Sequence, residues 1–489
     1  QRPSTNHMGE SVMDIDILKY IQEGQYDSEV DMIKDVKAQL DSKATQMKAM
    51  WNLYRGEVPI KSRVLANANK VNNKLANDFY GTIIDDKVGY MGNTIKIGLD
   101  QNKYTEEVYD KINSFINDWN RENQIDDLNA TTTKLSAICG YSTRILFNAS
   151  EGARVRNPEY PWETYVAYSD DTGEPIYGFW FYDKYEKVGE GSKSKVNVCE
   201  LYDNTNVRLY KMVGGTWMLQ SEVPHMFSRV PMLIVPNNDE MLGDYEKVTT
   251  LIEAYDKAVS DGSSEFEQLR LAYAVLKGAN LDAETVEQMK QTGIMSIDEN
   301  ADFSFVSKTI DMASVKILLD EIRKNIFQFA KSVDFAEVPT GDIRVIGWQT
   351  KLMQLENKCK IFERKFTAAL RYQYKVLAEY WNLFSGLGLD YKDLSFKFVR
   401  NVPKDIQGEA QALALLKGNV SDKTALSQMS FIDSADEEIK QMESEREVYP
   451  DLEEEDEAIT SAEADRQTDN STGTVDNEPV PNSTERDTI

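Results

Sequence analysis

Apolar and polar positions alternate with a helical period at both ends of the chain and a strand-like period between them. Leu18 and Ile21, then Val30, Ile33, Val36 and Leu40, stand three or four positions apart, which predicts helix. Tyr54-Arg55-Gly56-Glu57-Val58-Pro59 breaks that pattern, because Gly and Pro punctuate helices. The period resumes over residues 70–91, 105–121 and 124–139, so residues 13–140 read as mostly helical. Residues 1–12 carry no structural weight, since the chain opens on Gln1 and Met8 or Met13 is the expected start.

Between about 141 and 236 the texture changes to short runs dense in Tyr, Trp, Val and Phe. Residues 175–185 and 196–202 have strand character. Asp170-Asp171-Thr172-Gly173, Gly189-Glu190-Gly191-Ser192 and Gly214-Gly215 supply turns. The pattern predicts an antiparallel β-meander inserted between helical regions.

From 244 onward three apolar seams follow. The first is Tyr245, Val248, Ile252, Tyr255, Val259, Gly262, Phe266 and Leu269, alternating steps of three and four. The second is Val315, Leu319, Ile322, Ile326, Phe329 and Val333. The third is Trp348, Leu352, Leu355, Cys359, Phe362, Phe366 and Leu370, continuing to Phe384 without Pro or Gly. At about 1.5 Å per residue the third helix would be roughly 55 Å long. Elongated subunits of assemblies use such helices, and an ordinary helical bundle remains the alternative on spacing alone.

A mixed segment, 270–311, separates the first two seams, with an apolar helix start, a polar helix at 283–291 and a short strand at 303–306. A short loop, 335–347, separates the second and third, stopped by Pro339, Gly341 and Gly347. It reads either as a projecting loop or as a simple connector. The fold class is therefore α+β, mainly helical, with long helices and an inserted β-meander.

Composition narrows the chemistry. The 489 residues hold 55 Lys+Arg and 82 Asp+Glu, a net charge of −27, which repels DNA and anionic lipid from the chain as a whole. Residues 433–489 hold 20 Asp+Glu against 4 Lys+Arg, and from about 450 the composition predicts a disordered acidic tail. Three scattered cysteines argue against a disulfide framework, and His7 and His225 are too few for a His-based metal centre or triad. No run of 18 apolar residues suggests a membrane span. Walker, G-x-S-x-G and H-E-x-x-H motifs are missing. Acidic pairs such as Asp85-Asp86, Asp126-Asp127 and Asp170-Asp171 could bind Mg²⁺ in a nuclease, although 82 carboxylates make chance pairs common.

Charge placement is sharper. Residues 239–267 hold nine Asp+Glu against Lys247 and Lys257, so a negative face is expected opposite the first seam, carried by Asp244, Glu246, Glu253, Asp256 and Asp261. Residues 351–375 reverse the balance, with Lys351, Lys358, Lys360, Arg364, Lys365, Arg371 and Lys375 against Glu356 and Glu363. Solvated faces, an intersubunit ion-pair surface, or a lumen that repels DNA while touching its phosphates at a few points would each give this pattern.

Three segments carry a family resemblance. Tyr54-Arg55-Gly56, Asn72-Asn73-Lys74 and Ile83-Ile84-Asp85-Asp86-Lys87-Val88-Gly89-Tyr90-Met91-Gly92-Asn93 form the first. Asp244-Tyr245-Glu246-Lys247, Leu251-Ile252-Glu253-Ala254-Tyr255-Asp256-Lys257 and Ser260-Asp261 form the second. Leu352-Met353-Gln354-Leu355-Glu356-Asn357-Lys358 with Phe362-Glu363-Arg364-Lys365-Phe366 forms the third. In order and spacing, across about residues 50–445, these resemble the portal proteins of tailed bacteriophages, specifically the SPP1-like siphophage group.

The resemblance implies a non-enzymatic ring of about twelve copies at one capsid vertex, without cofactor or membrane. Double-stranded DNA would pass through its channel without sequence preference. The partners implied are the terminase large subunit, a head-completion adaptor, and the major capsid and scaffolding proteins; the location is the virion, and the host cytoplasm during assembly. The portal fold maps as wing (13–240), first stem helix (244–268), clip (269–311), second stem helix (312–333), tunnel loop (334–347), long wing helix and strand (348–404) and crown (405–446), with the tail at 450–489. Val338, Thr340, Asp342 and Arg344 would approach the duplex, with Lys351 just beyond. Tyr245, Val248, Ile252, Tyr255 and Val259 would form the stem seam. The competing readings are a metal-dependent nuclease and a helical scaffold or adaptor without a channel.

Overall fold

The computed structural model describes residues 26–67, 70–169, 171–187, 193–269, 273–277, 287, 302–306, 312–334, 345–401, 406–416, 418–427, 429, 432 and 435–448. The acidic tail therefore lies outside the described residues, as does the helix expected at 283–291 apart from Glu287. The chain forms two units, Gln1–Asn401 and Val402–Ile489.

In the first unit, α1 (Glu29–Tyr54) starts where Ser28 Oγ accepts the Asp31 N–H at 3.2 Å. Its Met32, Ile33, Val36, Leu40, Ala44 and Met47 form one buried stripe. The helix expected from 70 begins only at Phe79, as α2 (Phe79–Met91), capped by Asp78. Residues 71–78 form neither helix nor strand. Their asparagines and main-chain amides bond a neighbouring helix, and those bonds replace the helical ones. Strand β1 (Ile95–Leu99), α3 (Glu106–Glu122) and α4 (Ile125–Cys139) follow. Gly140 turns α4 into the sheets at φ +89; a Cβ there would meet the Met241 carbonyl oxygen at 1.9 Å.

The expected meander resolves into two antiparallel sheets. Strands β2 (Tyr141–Ala149), β3 (Gly152–Arg156) and β9 (Met232–Pro236) make one, in the order β3-β2-β9. Strands β4 (Thr164–Tyr168), β5 (Pro175–Lys187), β6 (Lys193–Tyr202), β7 (Asn206–Val213) and β8 (Thr216–Pro224) make a true meander in sequence order. Phe179, Phe181, Cys199, Leu201 and Tyr210 alternate inward and share a core with α1.

Helix α5 (Thr249–Leu269) leads to a hairpin of β10 (Tyr273–Lys277) and β11 (Asp302–Val306), with Val275 opposite Ser304. Helix α6 (Met312–Ala330) returns beside α5 as in an antiparallel pair: Phe79 makes edge contacts with Tyr255 early in α5 and Phe327 late in α6. Tyr245, Val248 and Ile252 are buried, but the first seam opens toward its end, where Phe266 is 60% exposed. On α6 the seam needs a correction. Phe329 is exposed, and Phe327 and Ala330 occupy the core positions.

The third seam is one helix, α7 (Val345–Ser385), of 41 residues. Leu355, Cys359, Phe362, Phe366, Tyr374, Leu377 and Trp381 are buried along it, meeting Ile112, Ile116 and Trp119 of α3. Arg144 of β2, fully buried, reaches Asn129 Oδ1 at 2.6 Å, Thr132 Oγ1 at 2.9 Å and Gln373 Oε1 at 3.2 Å, tying α4 and α7 to the sheet. Strand β12 (Leu394–Phe398) then pairs with β1.

In the second unit, α8 (Ile406–Leu416), α9 (Asp422–Leu426) and α10 (Ala435–Val448) follow one another. Ser421 caps α9, whose Ala425 and Leu426 are buried, as is Met429 just beyond it.

Candidate functional site

The loop between α6 and α7 is the candidate site. Val338, Thr340, Asp342 and Arg344 lie outside the described residues, and Lys351 falls in the second turn of α7. What the structure describes is the frame at the loop's ends. Helix α6 stops in a Schellman turn: Lys331 takes φ +52, its N–H bonds Gln328 O at 3.3 Å, and the Ser332 N–H bonds Phe327 O at 3.0 Å. Ser332 and Val333 are buried. The Arg323 guanidinium then grips Asp334 through two bonds, Nε to Oδ2 at 2.6 Å and Nη2 to Oδ1 at 2.9 Å. On the other side Leu352 and Leu355 are buried in the core of α7.

Lys358 ties the two sides together. Its Nζ donates to Ala330 O, the last residue of α6, at 3.1 Å, and lies 3.1 Å from Asp244 Oδ2. Asp244 precedes α5, so one ammonium joins the start of the first stem-like helix, the end of the second and the long helix. Lys87 of α2, fully buried, lies 3.3 Å from the same Oδ2, donates to Asn237 Oδ1 at 2.6 Å and sits 4.7 Å from the Phe362 ring centre. Burial pushes the Asp244 carboxyl up, but Lys358, Lys87 and the Asn237 amide outweigh it and hold it below the usual range. Burial pulls the Lys87 ammonium down, partly offset by Asp244. Beside this node, burial pushes Asp86 up to about 6 against the pull of Ser332 and Lys358.

This geometry corrects the expected acidic face. Of its five carboxylates, Asp256 is buried and the Asp244 side chain is buried as well. Asp244 is neutralised by lysines, and Asp256 accepts both the main-chain and side-chain N–H of Asn77. Glu246 is half-buried and accepts the Gly243 N–H at 2.9 Å. Glu253 and Asp261 remain exposed, Asp261 paired with Arg63 at 2.5 Å. The acidic run and the basic run seen in the sequence also meet within one chain, as Asp244–Lys358 and Asp239–Lys365. Other members of the basic run are paired too, Lys360 with Glu356 and Lys375 with Glu174.

Sequence reasoning missed Lys87, Asn237 and the bridging role of Lys358. A signal existed for Lys87: it follows Ile83 by four residues and precedes Met91 by four, a lysine on a core face. Asp85 accepts from Tyr54 OH at 2.9 Å, and Asp86 faces Ser332 Oγ at 3.5 Å. Among the described residues no group of three or more His, Cys, Asp or Glu is arranged to hold a metal ion. No helix among them is long and apolar enough to cross a membrane.

Long helices, antiparallel sheets inserted between them and a 41-residue helix after residue 344 make this a mainly helical α+β protein. The chain belongs to the family described as "Phage portal protein, SPP1 Gp6-like", whose profile matches residues 33–449. It is similar to the portal protein of Bacillus phage SPP1, 24% identical over 418 residues that cover 79% of each chain. It is also similar to the portal protein of Clostridium phage phiCD119, 20% identical over 413 residues, 79% of this chain and 88% of that one.

Proposed function

We propose that twelve copies of this chain close into a ring at one capsid vertex, forming the channel for packaging and ejecting double-stranded DNA. The observation that carries this reading is the bonded frame on either side of residues 335–344. Two antiparallel helices lead to that segment, Arg323–Asp334 and Lys358–Ala330 fix its near end, and the buried turns of α7 fix its far end. Such a frame suits a short segment, 335–344, that must hold its position against a moving polymer. Arg344 is its one base, and Val338, Thr340 and Asp342 are short, so phosphate contacts there would position DNA without reading sequence. Phe266, Ile317, Leu318 and Phe329 are exposed on α5 and α6 and offer neighbouring copies an apolar surface.

In this reading the β10–β11 hairpin belongs to a clip, 269–311, that meets the terminase large subunit during packaging and a head-completion adaptor afterwards. Scaffolding and major capsid proteins surround the ring in the host cytoplasm during assembly, and the finished location is the virion. The role is structural rather than catalytic. Electron microscopy down the particle axis tests the proposal: closed rings with a central hole are expected, and single compact particles of 55.7 kDa would overturn it. Incubating the protein with DNA and Mg²⁺ or Mn²⁺ separates it from the nuclease reading, which requires cleavage.

A further inference from the structure

A cavity of about 370 Å³ opens between the start of α2, α5 and α6, beside the turn that ends α6. Phe79, Tyr255, Phe327 and Val333 are its apolar lining. Phe79 meets Tyr255 and Phe327 edge-on, at ring-centre separations of 5.0 and 5.8 Å. The polar groups on the rim are engaged within the chain. Asn77 Nδ2 donates to Asp256 Oδ1 at 2.8 Å, the Gly81 N–H donates to Asp78 Oδ1 at 2.9 Å, Thr82 Oγ1 donates to Asp78 O at 2.7 Å, and Arg323 holds Asp334. A hollow whose charges are paired and whose wall is three aromatic rings suits an apolar occupant, above all another ring.

The opposite flank of α6 carries such a side chain. Phe329 is 57% exposed and stands two residues from Phe327. On an α-helix that is about 200° around the axis but only about 3 Å along it. Ile326 and Ala330, both buried, lie on the arc between the two and face the core. The cavity and the Phe329 ring therefore stand at one height on the two flanks of one helix. Leu318, also exposed, lies about 20° from Phe329 around the axis and continues its stripe three turns earlier. A ring on one flank does not reach a hollow on the other. Copies set side by side satisfy both, and a contact between two different surfaces closes into a ring when its rotation divides the circle.

We propose that in the closed ring, on which this rests, the Phe329 side chain of each copy seats in the cavity of the next copy, against Phe79, Tyr255 and Phe327. Val333 and Asp334, the last residues before 335–344, line the same cavity. Each seated ring thus braces the near end of its neighbour's loop as well as joining the two copies.

A double variant, Phe329→Cys with Thr82→Cys, places one thiol on each surface. Thr82 is exposed on the cavity rim, and Cys139, Cys199 and Cys359 are buried. With a short bis-maleimide the assembled double variant should give a ladder of covalently joined chains, and each single variant only single chains. Rings of normal mass that give no ladder overturn the proposal and leave the ring reading standing; native protein that forms no rings overturns both. Phe329→Glu and Phe329→Leu keep the test decisive where the cysteines impair assembly. Phe329 is exposed in the single chain, so neither change should alter its circular dichroism. Ring yield should fall about tenfold in Phe329→Glu and stay within about twofold of native in Phe329→Leu. Native ring yield from Phe329→Glu overturns the proposal.

Discussion

The main-chain N–H of Asn77 and its side-chain Nδ2 both donate to Asp256 Oδ1, at 2.9 and 2.8 Å. This is the first of three contacts in step. The Leu75 N–H donates to Ser260 Oγ at 2.9 Å and the Asn73 N–H to Ser264 Oγ at 2.9 Å. Alternate residues of an extended segment advance about 6.6 Å, and positions four apart on a helix advance about 6 Å, so the two periods match over three contacts. The segment is thus strapped along α5 by side chains of residues 256, 260 and 264. Arg63 closes the strap, with Nε to Asn72 Oδ1 at 2.9 Å and Nη2 to Asn73 O at 3.0 Å.

Replacing Asp256 by Ala removes the acceptor for two donors, one of them main-chain. We expect a loss of about 1–3 kcal/mol, and a smaller loss for Asp256→Asn, which keeps an acceptor oxygen. Denaturant unfolding at fixed protein concentration measures the first. Trypsin cleavage at Arg63, Lys70 and Lys74 should accelerate in the alanine variant ahead of cleavage elsewhere, because local opening of the strap precedes global unfolding. Unchanged cleavage there would show that the strap is held by other contacts.

Lys358 sits where three helices meet. Lys358→Met leaves the Ala330 carbonyl without this donor and leaves Asp244 to Lys87 and the Asn237 amide. A loss of about 3 kcal/mol is expected, the usual scale for breaking a buried pair from one side. Lys358→Met combined with Asp244→Asn should cost less than the sum of the two, since each change then removes a charge the other would strand. Additive losses from thermal or denaturant unfolding would show that the two groups do not communicate.

The arrangement of elements was legible in the sequence to different depths. Helix α7 was readable from Trp348 to about Phe384, because a long apolar period without Pro or Gly allows little else. Of the β10–β11 hairpin only the second strand, Phe303 to Val306, was legible; the apolar stretch at Tyr273–Lys277 read as the start of a helix and is a strand. The strap at 71–78 was misread as helix. Its partners lie nearly 200 residues away in α5, and local spacing carries no trace of them. The charge runs were visible, but not their pairing. Asp244 and Lys358 are ordinary surface residues to a composition count, and only the fold brings them within 3.1 Å. Phe329 and Phe327 differ by two positions on one helix, a choice that seam spacing leaves open and tertiary packing decides.

Asp86 provides a pH test. Its folded pKa, about 6, lies above the ordinary carboxylate range because the group is half-buried. The folded state therefore binds a proton more readily than the unfolded state between about pH 4 and 6, and stability falls as pH rises through that window. Asp86→Asn removes this dependence. The variant should match the native protein near pH 4 and exceed it at pH 7 by roughly 1 kcal/mol, after allowing for solvent screening of a half-buried group. Unfolding curves at both pH values measure the difference. A variant less stable at pH 7 would mean that the carboxylate is held by a favourable partner there.

The loop makes the functional prediction. Its anchors, Arg323–Asp334 and Lys358–Ala330, belong to the frame, so changes within 335–344 should leave the frame folded. Arg344→Ala removes the loop's one base and with it a phosphate contact. Gly341→Val restricts the backbone at the one glycine of residues 335–344. Under the proposed function, each variant should form rings of normal mass and normal thermal stability, and package DNA on the order of tenfold less in an assay with the cognate terminase and procapsid, the loss for Arg344→Ala shrinking as salt screens the phosphate contact in the native protein as well. Rings that fail to form would make the loop a structural joint. Rings that package normally would move the duplex contact to Lys351 or to another part of the bore.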